Sequence, residues 1–140
     1  MHRVTLDTNV IVSGLNYAGP PFRVLEAARL GIYRLQVSQP ILDETVRILQ
    51  EKFAWPEDRA LRAGALISGF GQLVVPHVQL NVVARDPEDN RILECSQASN
   101  SDYLVTGDKD LLQLGTYSAA AIIKPVKYLA ILTQGTDCAT

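Results

Sequence analysis

Cysteine and histidine are scarce in this 140-residue chain, which contains two of each. Cys95 and Cys138 lack the paired spacing of a zinc or redox motif. His2 lies at the terminus, and His77 follows Pro76 after an apolar run, which favours a loop or strand end. The sequence therefore gives no support to a Cys–His or Ser–His–Asp nucleophilic mechanism.

Long apolar runs and a signal-peptide pattern are also lacking. No run is long enough to span a membrane, and the N-terminus enters a predicted strand almost at once. We therefore expect a cytoplasmic protein with no membrane contact. Because the length fits one domain and no repeat or linker is visible, we expect a single domain over residues 1–132 and a short polar tail over 133–140 that frays.

What the sequence does contain is a set of acidic residues at the ends of predicted elements. Residues 3–6 form a β-branched, apolar run too short for a helix, so Asp7 is interpreted as the last residue of a first, central strand. A second run, residues 33–38, precedes Pro40 and a series of apolar residues at helical spacing. Glu44 then lies one turn into that helix, close to the same edge of the sheet.

Two later segments supply further acids. Asp86 suits the cap of a helix that opens with proline, and Asp89 lies three residues beyond that cap. Residues 103–106 form a strand that breaks at a glycine and is followed by Asp108 and Asp110. Asp108 thus has the same position after its strand that the first acid has after the first strand.

The alternation of strands and helices predicts an α/β fold, a three-layer α/β/α sandwich with a central parallel sheet. In such folds ligands collect beyond the carboxyl ends of the strands, where these acids are expected. Carboxylates gathered there repel one another strongly unless a divalent cation neutralises them. The pattern therefore indicates a metal site and a metal-dependent enzyme.

Four stretches give the chain a resemblance to the PIN domain family, in particular to its bacterial and archaeal subgroup of toxins from type II toxin–antitoxin systems. The stretches are Leu-Asp-Thr-Asn-Val at 6–10, Ile-Leu-Asp-Glu at 41–44, Asp-Pro-Glu-Asp-Asn at 86–90 and Val-Thr-Gly-Asp-Lys-Asp-Leu-Leu at 105–112. The likeness covers residues 3–132. No single stretch is decisive, but four in the right order make the likeness specific.

The resemblance implies a PIN-like nuclease domain that acts as a metal-dependent endoribonuclease on RNA phosphodiester bonds, with Mg²⁺ or Mn²⁺ as its cofactor. It implies that Asp7, Glu44, Asp89 and Asp108 are catalytic and hold the metal, with Asp110 as a fifth, auxiliary acid. In that chemistry a metal-bound water attacks the phosphorus, and the metals stabilise the attacking and leaving oxygens. The implied partners are an RNA substrate, a cognate antitoxin protein and a second copy of the chain in a homodimer.

Three polar residues beside these acids receive auxiliary roles. Asn9 can orient a ligand water or hydrogen-bond a neighbouring carboxylate. Thr106 and Ser38 end strands, so their hydroxyls can reach the site, although such hydroxyls ordinarily bond to the backbone. Two nearby acids are assigned elsewhere: Asp86 to capping, and Asp43 to the helix face that turns away from the site.

The chain has no basic excess of the kind that many nucleic-acid-binding proteins carry. Thirteen Lys and Arg residues against fifteen Asp and Glu residues give a formal net charge of −2. Five of the acids belong to the expected metal site, where cations would offset their charge, so the remaining surface is net positive. The candidates for phosphate contact are Arg23, Arg47, Lys52, Arg91 and Lys109.

Two neighbouring helices predicted in the middle of the chain carry large apolar residues, including Phe53 and the single tryptophan, Trp55. Such residues are most often part of the core. An exposed apolar patch on these helices would suit a partner or dimer interface.

Two other classes of function remain open. A phosphatase or phosphotransfer enzyme of doubly wound type would use Asp7 as a nucleophile. The haloacid dehalogenase pattern, however, has a second Asp at the position that Asn9 occupies in this chain. A catalytically silent PIN-like binding module is disfavoured by the intact set of four acids. Each acid alone has an ordinary explanation, such as first-turn helix acids for Asp108 and Asp110. Their joint occurrence at one edge favours the metal site.

Overall fold

The computed structural model of the protein describes residues 1–83 and 86–139, with side chains described as far as residue 134. The strands in this part of the chain are β1 (Arg3–Leu6), β2 (Arg34–Ser38), β3 (Gln72–Val74), β4 (Tyr103–Val105), β5 (Thr116–Tyr117) and β6 (Ala120–Ile123). The helices are α1 (Thr8–Asn16), α2 (Pro20–Arg29), α3 (Gln39–Phe53), α4 (Glu57–Phe70), α5 (Pro87–Ala98), α6 (Lys109–Leu114) and α7 (Pro125–Ala139).

The strands form one sheet in the order β3-β2-β1-β4-β6-β5. Its first five strands run parallel, with Val4 of β1 opposite Leu35 of β2 on one side and opposite Tyr103 of β4 on the other. Strand β1 is therefore central, as the sequence predicted. The edge strand β5 is antiparallel to β6, a departure from the expected parallel sheet. Only two residues join β5 to β6, and so short a connection can link only antiparallel strands.

Strand β1 is enclosed on both faces of the sheet. Val4, Thr5 and Leu6 are all 0% exposed, although successive residues of a strand point to opposite faces. Helix α5 covers the face to which Thr5 points, since Cys95 of that helix lies against the Thr5 hydroxyl. A mostly parallel sheet buried on both faces and flanked by helices confirms the predicted α/β sandwich.

Local sequence signals start the helices where they were expected. Ser38 caps α3 by accepting a hydrogen bond from the Ile41 N–H, and Pro40 occupies the first turn. Asp86 caps α5, whose first residue is Pro87. These caps fix the N-termini of α3 and α5 beside the carboxyl ends of the strands, which is where the predicted acids belong.

The C-terminal helix α7 continues through most of the segment predicted as a tail, 133–140. Residue 140 and the side chains from 135 onward lie outside the described residues, so the domain boundary at 132 stays a prediction. Among the described helices, none is both long enough and apolar enough to cross a bilayer.

Candidate metal centre

The topology of the sheet brings the first and last predicted acids to one edge. Strands β1 and β4 are parallel neighbours, with Leu6 opposite Val105, so the residues that follow them meet at the same edge. The Asp7 N–H donates to the Val105 carbonyl at 3.0 Å and so extends this pairing by one residue. Asp108 follows β4 and caps α6. The N-terminus of α5 reaches the same edge and contributes the third acidic segment.

Three carboxylates form the centre of the site: Asp86, Asp89 and Asp108. One oxygen atom of each lies within 4.8 Å of an oxygen atom of the other two. Asp89 is only 4% exposed, and its Oδ2 atom is buried without a hydrogen-bond partner. Burial and the neighbouring carboxyl group of Asp108 raise the pKa of Asp89 to about 8. A buried carboxylate oxygen without a donor is an atom that a cation would satisfy.

Asp7 lies beside this group and is also buried, with 4% of its surface exposed. Its Oδ2 atom accepts a hydrogen bond of 2.6 Å from the Thr106 hydroxyl, and its Oδ1 atom accepts one of 3.3 Å from the Asn9 N–H. Burial raises the pKa of Asp7, these two hydrogen bonds lower it, and the charges of Asp108 and Asp86 raise it again. The negative charge of the neighbouring carboxylates therefore acts on Asp7 directly.

Thr106, predicted as an auxiliary residue, connects two of the acids. While its hydroxyl donates to Asp7, the same oxygen accepts the Asp108 N–H at 2.9 Å. Thr106 is 0% exposed, so its side chain is shielded from solvent. The Asp110 N–H in turn donates to Asp108 Oδ1 at 3.0 Å. This chain of contacts fixes the turn that carries both C-terminal acids.

The remaining predicted site residues have less direct positions. Glu44 lies on α3 with 13% of its side chain exposed and forms an ion pair with Arg47. It also faces the exposed Glu88, whose pKa is raised by partial desolvation and by the Glu44 charge. Glu44 is outside the group of three acids whose oxygens converge. Ser38 is buried and caps α3. Asp7 is likewise outside the converging group, so metal binding by Asp7, Glu44 and Asp110 stays a prediction.

The sequence interpretation assigned Asp86 to helix capping only, and the structure gives it a second position. Its Oδ1 atom accepts the Glu88 N–H at 3.0 Å, so the predicted cap is present, but the same carboxylate also belongs to the converging group. The available signal was the spacing of Asp86 and Asp89. Residues three apart at the start of a helix lie on the same side of it.

The segment that leads to Asp86 is attached to α5 by two buried side chains that the sequence did not single out. Asn90 accepts the N–H groups of Val82 and Val83 at 2.8 Å each and donates to the Val83 carbonyl at 2.7 Å. Glu94 accepts the Leu80 N–H at 2.8 Å. These contacts hold residues 80–83 against α5, close to its acids; residues 84–85, which follow, lie outside the described residues.

Two of the cations proposed for phosphate contact are engaged in ion pairs. Arg47 bonds to Glu44 and Glu51, and Arg91 bonds to Glu94 at 2.8 Å. These pairs lie on α3 and α5, so the positive charge of those helices near the site is largely offset locally. A polyanion would find little net attraction on that side.

The residues of the site fit a hard divalent cation. Carboxylate oxygens are the ligands that Mg²⁺ and Mn²⁺ prefer, and the described part of the group contains neither thiolate nor imidazole. Asp86, Asp89 and Asp108 can hold the ion through one oxygen each, with the orphaned Oδ2 of Asp89 among the available atoms. The fold and the site together define an α/β protein with a candidate metal centre at the carboxyl edge of its sheet.

Comparison with known families agrees with this class. The family described as PIN domain matches residues 3–110, well over half of the chain, and the protein therefore belongs to the PIN domain family. Members of this family are typically metal-dependent nucleases. A search of curated proteins finds no match to the chain.

We expect the stability of the metal-free protein to fall as the pH rises from about 4 to about 8. The pKa of Asp89 is about 8 in the folded chain against an ordinary value of 3.8, so the folded state holds a proton that the unfolded state releases over this range. Mg²⁺ should reverse the trend, because the metal replaces that proton. Thermal melts in EDTA and in Mg²⁺ across this pH range measure both effects.

The matched variant is Asp89→Asn, which removes the ionisable group and should flatten both pH profiles. A wild-type protein whose melting temperature does not respond to millimolar Mg²⁺ or Mn²⁺ at any pH would contradict the metal centre.

Replacing Thr106 by valine should destabilise the protein by about 1–3 kcal/mol, since a buried carboxylate oxygen of Asp7 and the Asp108 N–H both lose a partner. It should also weaken metal binding near neutral pH, because the hydrogen bond from Thr106 lowers the pKa of Asp7. Urea unfolding and metal titration measure the two effects. Thr106→Ser, which keeps the hydroxyl, should lie close to the wild type; equal stability of the two variants would refute the role.

Proposed function

We propose that this protein is a Mg²⁺- or Mn²⁺-dependent endoribonuclease that hydrolyses RNA phosphodiester bonds, and that it is the toxin of a toxin–antitoxin pair. The observation that carries the proposal is the buried, unpartnered Oδ2 atom of Asp89 within a group of three converging carboxylates. A stable fold does not need such an arrangement, which costs free energy until a cation is bound. Membership of the PIN domain family supports the same chemistry.

In this proposal Asp7, Glu44, Asp89 and Asp108 are the catalytic residues, and Asp86 joins them as a metal ligand because of its position. A bound divalent ion would supply a nucleophilic water and would stabilise charge on the phosphate oxygens. Thr106 orients Asp7 and fixes the Asp108 turn. Asn9 holds the second oxygen of Asp7 through its backbone N–H.

The geometry around Asp7 favours hydrolysis at a metal over the alternative of an aspartyl nucleophile. A nucleophilic carboxylate needs an oxygen that a phosphorus atom can approach, whereas Asp7 is 4% exposed and both its oxygens accept hydrogen bonds. The more accessible groups at the edge are Asp86 and Asp108, which fit ligand roles. A phosphatase that uses Asp7 is therefore the weaker hypothesis.

Asp89→Asn and Asp7→Asn should each lower RNA cleavage by at least about a hundredfold, since a lost ligand removes the metal's stabilisation of the transition state. Neither change should unfold the protein, because asparagine keeps the shape and relieves repulsion between carboxylates. Asp43→Asn is the matched control, since Asp43 is exposed on α3 and hydrogen-bonds Gln39. Cleavage of labelled RNA in Mn²⁺, with and without EDTA, is the assay.

Three outcomes discriminate between the hypotheses. Loss of cleavage in the two site variants alone supports the proposal. Full activity of Asp89→Asn would reject the metal centre as described. Release of phosphate from a small phosphoester without cleavage of RNA would favour the phosphatase.

The toxin assignment requires surfaces for an antitoxin and for a second copy, and the structure alters where we expect them. Trp55 is half-buried, donates its indole N–H to Asn16 at 3.0 Å, and lies under the guanidinium of Arg59. Helix α4 instead exposes Leu61 and Leu66 by 52% and 60%. Leu66 borders a surface groove together with Phe22 of α2, which is 44% exposed, so this face of α4, more than the Phe53–Trp55 region, supports an apolar partner interface.

If α4 forms the proposed interface, Leu66→Glu should weaken the homodimer or the antitoxin complex by at least tenfold, because it places a charge in an apolar contact. Leu114→Glu, which alters an exposed leucine at the end of α6, is the matched control. Light scattering of the isolated chain measures the homodimer, and co-purification with the product of a neighbouring gene measures the antitoxin complex. A chain that is monomeric, captures no partner and is harmless when expressed would leave only a solitary nuclease.

A further inference from the structure

A groove opens at the sheet edge immediately beside the carboxylates. Its volume is about 410 Å³, within the size range of pockets that bind small ligands. Two of its lining residues are neighbours of the site: Asn9, whose N–H bonds to Asp7, and Gly107, which separates Thr106 from Asp108. The groove is therefore continuous with the candidate metal centre.

The wall of this groove differs in charge from the opposite side of the site. None of the described residues that line the groove is acidic, and Lys124 supplies a positive charge at the start of α7. On the side of α3 and α5, the acids Glu44 and Glu88 lie against each other, and Arg47 is paired. A polyanion that approaches the metal centre is thus repelled less along the groove than across α3 and α5.

We propose that this groove holds the nucleotide next to the scissile phosphate of a single-stranded RNA, with Lys124 contacting the phosphate of that nucleotide. This inference rests on the proposed nuclease function and adds the path of the substrate strand. Polar groups from Asn9 and Ser13 and apolar walls from Pro20, Pro21 and Pro125 provide contacts for both the sugar–phosphate and the base. A nucleotide needs this combination, since one part of it is charged and the other is a flat apolar ring.

Gly107 supports the assignment because the fold gives no other reason for a glycine at this position. Its φ does not lie in the left-handed region, and a Cβ atom added there would meet nothing within 4 Å. A side chain at residue 107 would therefore extend into open space on the wall of the groove. The missing side chain leaves room for a ligand directly beside Asp108.

The test compares strand binding with metal binding in the full chain. A short fluorescein-labelled oligouridylate is titrated in Ca²⁺, its integrity is checked on a gel, and cleavage is measured separately in Mn²⁺. Lys124→Gln should weaken binding several-fold and reduce the salt dependence of log K by about 0.7, the value expected for one lost phosphate contact on a single strand. Lys127→Gln is the matched control, because Lys127 is exposed on α7, three residues further along the chain, but does not line the groove.

Gly107→Leu provides a steric test of the same groove. It should weaken oligouridylate binding at least tenfold while the melting temperature and its shift in Mg²⁺ stay at the wild-type values. If Gly107→Leu lowers the melting temperature, the groove is tested by the comparison of Lys124→Gln with Lys127→Gln alone. Equal affinities and equal salt slopes in those two variants would overturn the groove, as would a wild-type chain that does not bind the oligouridylate in Ca²⁺.

The outcomes for the groove and for the nuclease are separable. A wild-type chain that cleaves RNA, with Lys124→Gln behaving like Lys127→Gln, contradicts the groove and leaves the nuclease intact. A wild-type chain that binds the strand through Lys124 but does not cleave in Mn²⁺ contradicts the nuclease and leaves the groove intact.

Discussion

Repulsion between carboxylates at the carboxyl edge of the sheet is the interaction that the local structure has to offset. Asp89 does so by keeping its proton to a pKa of about 8. Asp7 accepts a hydrogen bond from Thr106, and Asp86 accepts one at the N-terminus of α5, where the helix dipole favours negative charge. These are partial solutions, since Asp89 Oδ2 remains without a partner. A divalent ion would replace the proton and satisfy the orphaned oxygen together.

The parallel sheet makes this convergence possible and fixes its geometry. Parallel strands end at one edge, so Asp7 and Asp108 are neighbours as a consequence of the β1–β4 pairing. Helix α5 is tied to the same sheet at its far end by a buried hydroxyl chain, in which Ser101 bonds to Thr5 at 2.8 Å and to Ser99 at 2.7 Å. The position of the α5 N-terminus, and of Asp89 on it, is therefore set by contacts along the whole helix.

Features that depend on neighbouring residues were predictable from the sequence, and features that depend on distant ones were not. The cap at Asp86 and the turn that precedes Asp108 follow from local patterns, and the structure has both. The end of the first strand was predicted at Asp7, but β1 ends one residue earlier, at Leu6, because Asp7 caps α1. That Asp86 also joins the group of converging carboxylates could be predicted only by knowing where α5 lies relative to β4. The three hydrogen bonds of Asn90 to residues 82–83 depend on how a long loop folds back onto a helix. The sequence signals the first of these features only through the spacing of Asp86 and Asp89, and it gives no signal for the second.

The unequal charge on the two sides of the edge has a consequence for the order of binding. Without a cation, the acids next to the groove repel a polyanion along any approach, and a single lysine at residue 124 cannot offset three carboxylates. With a cation bound, the edge becomes attractive, and the groove is the side on which no further acid opposes the strand. Metal should therefore bind before RNA. Because the binding free energies of two ligands are reciprocally linked, a bound strand should also increase the affinity for the metal. Each ligand should therefore bind more tightly to the protein that already holds the other than to the protein alone.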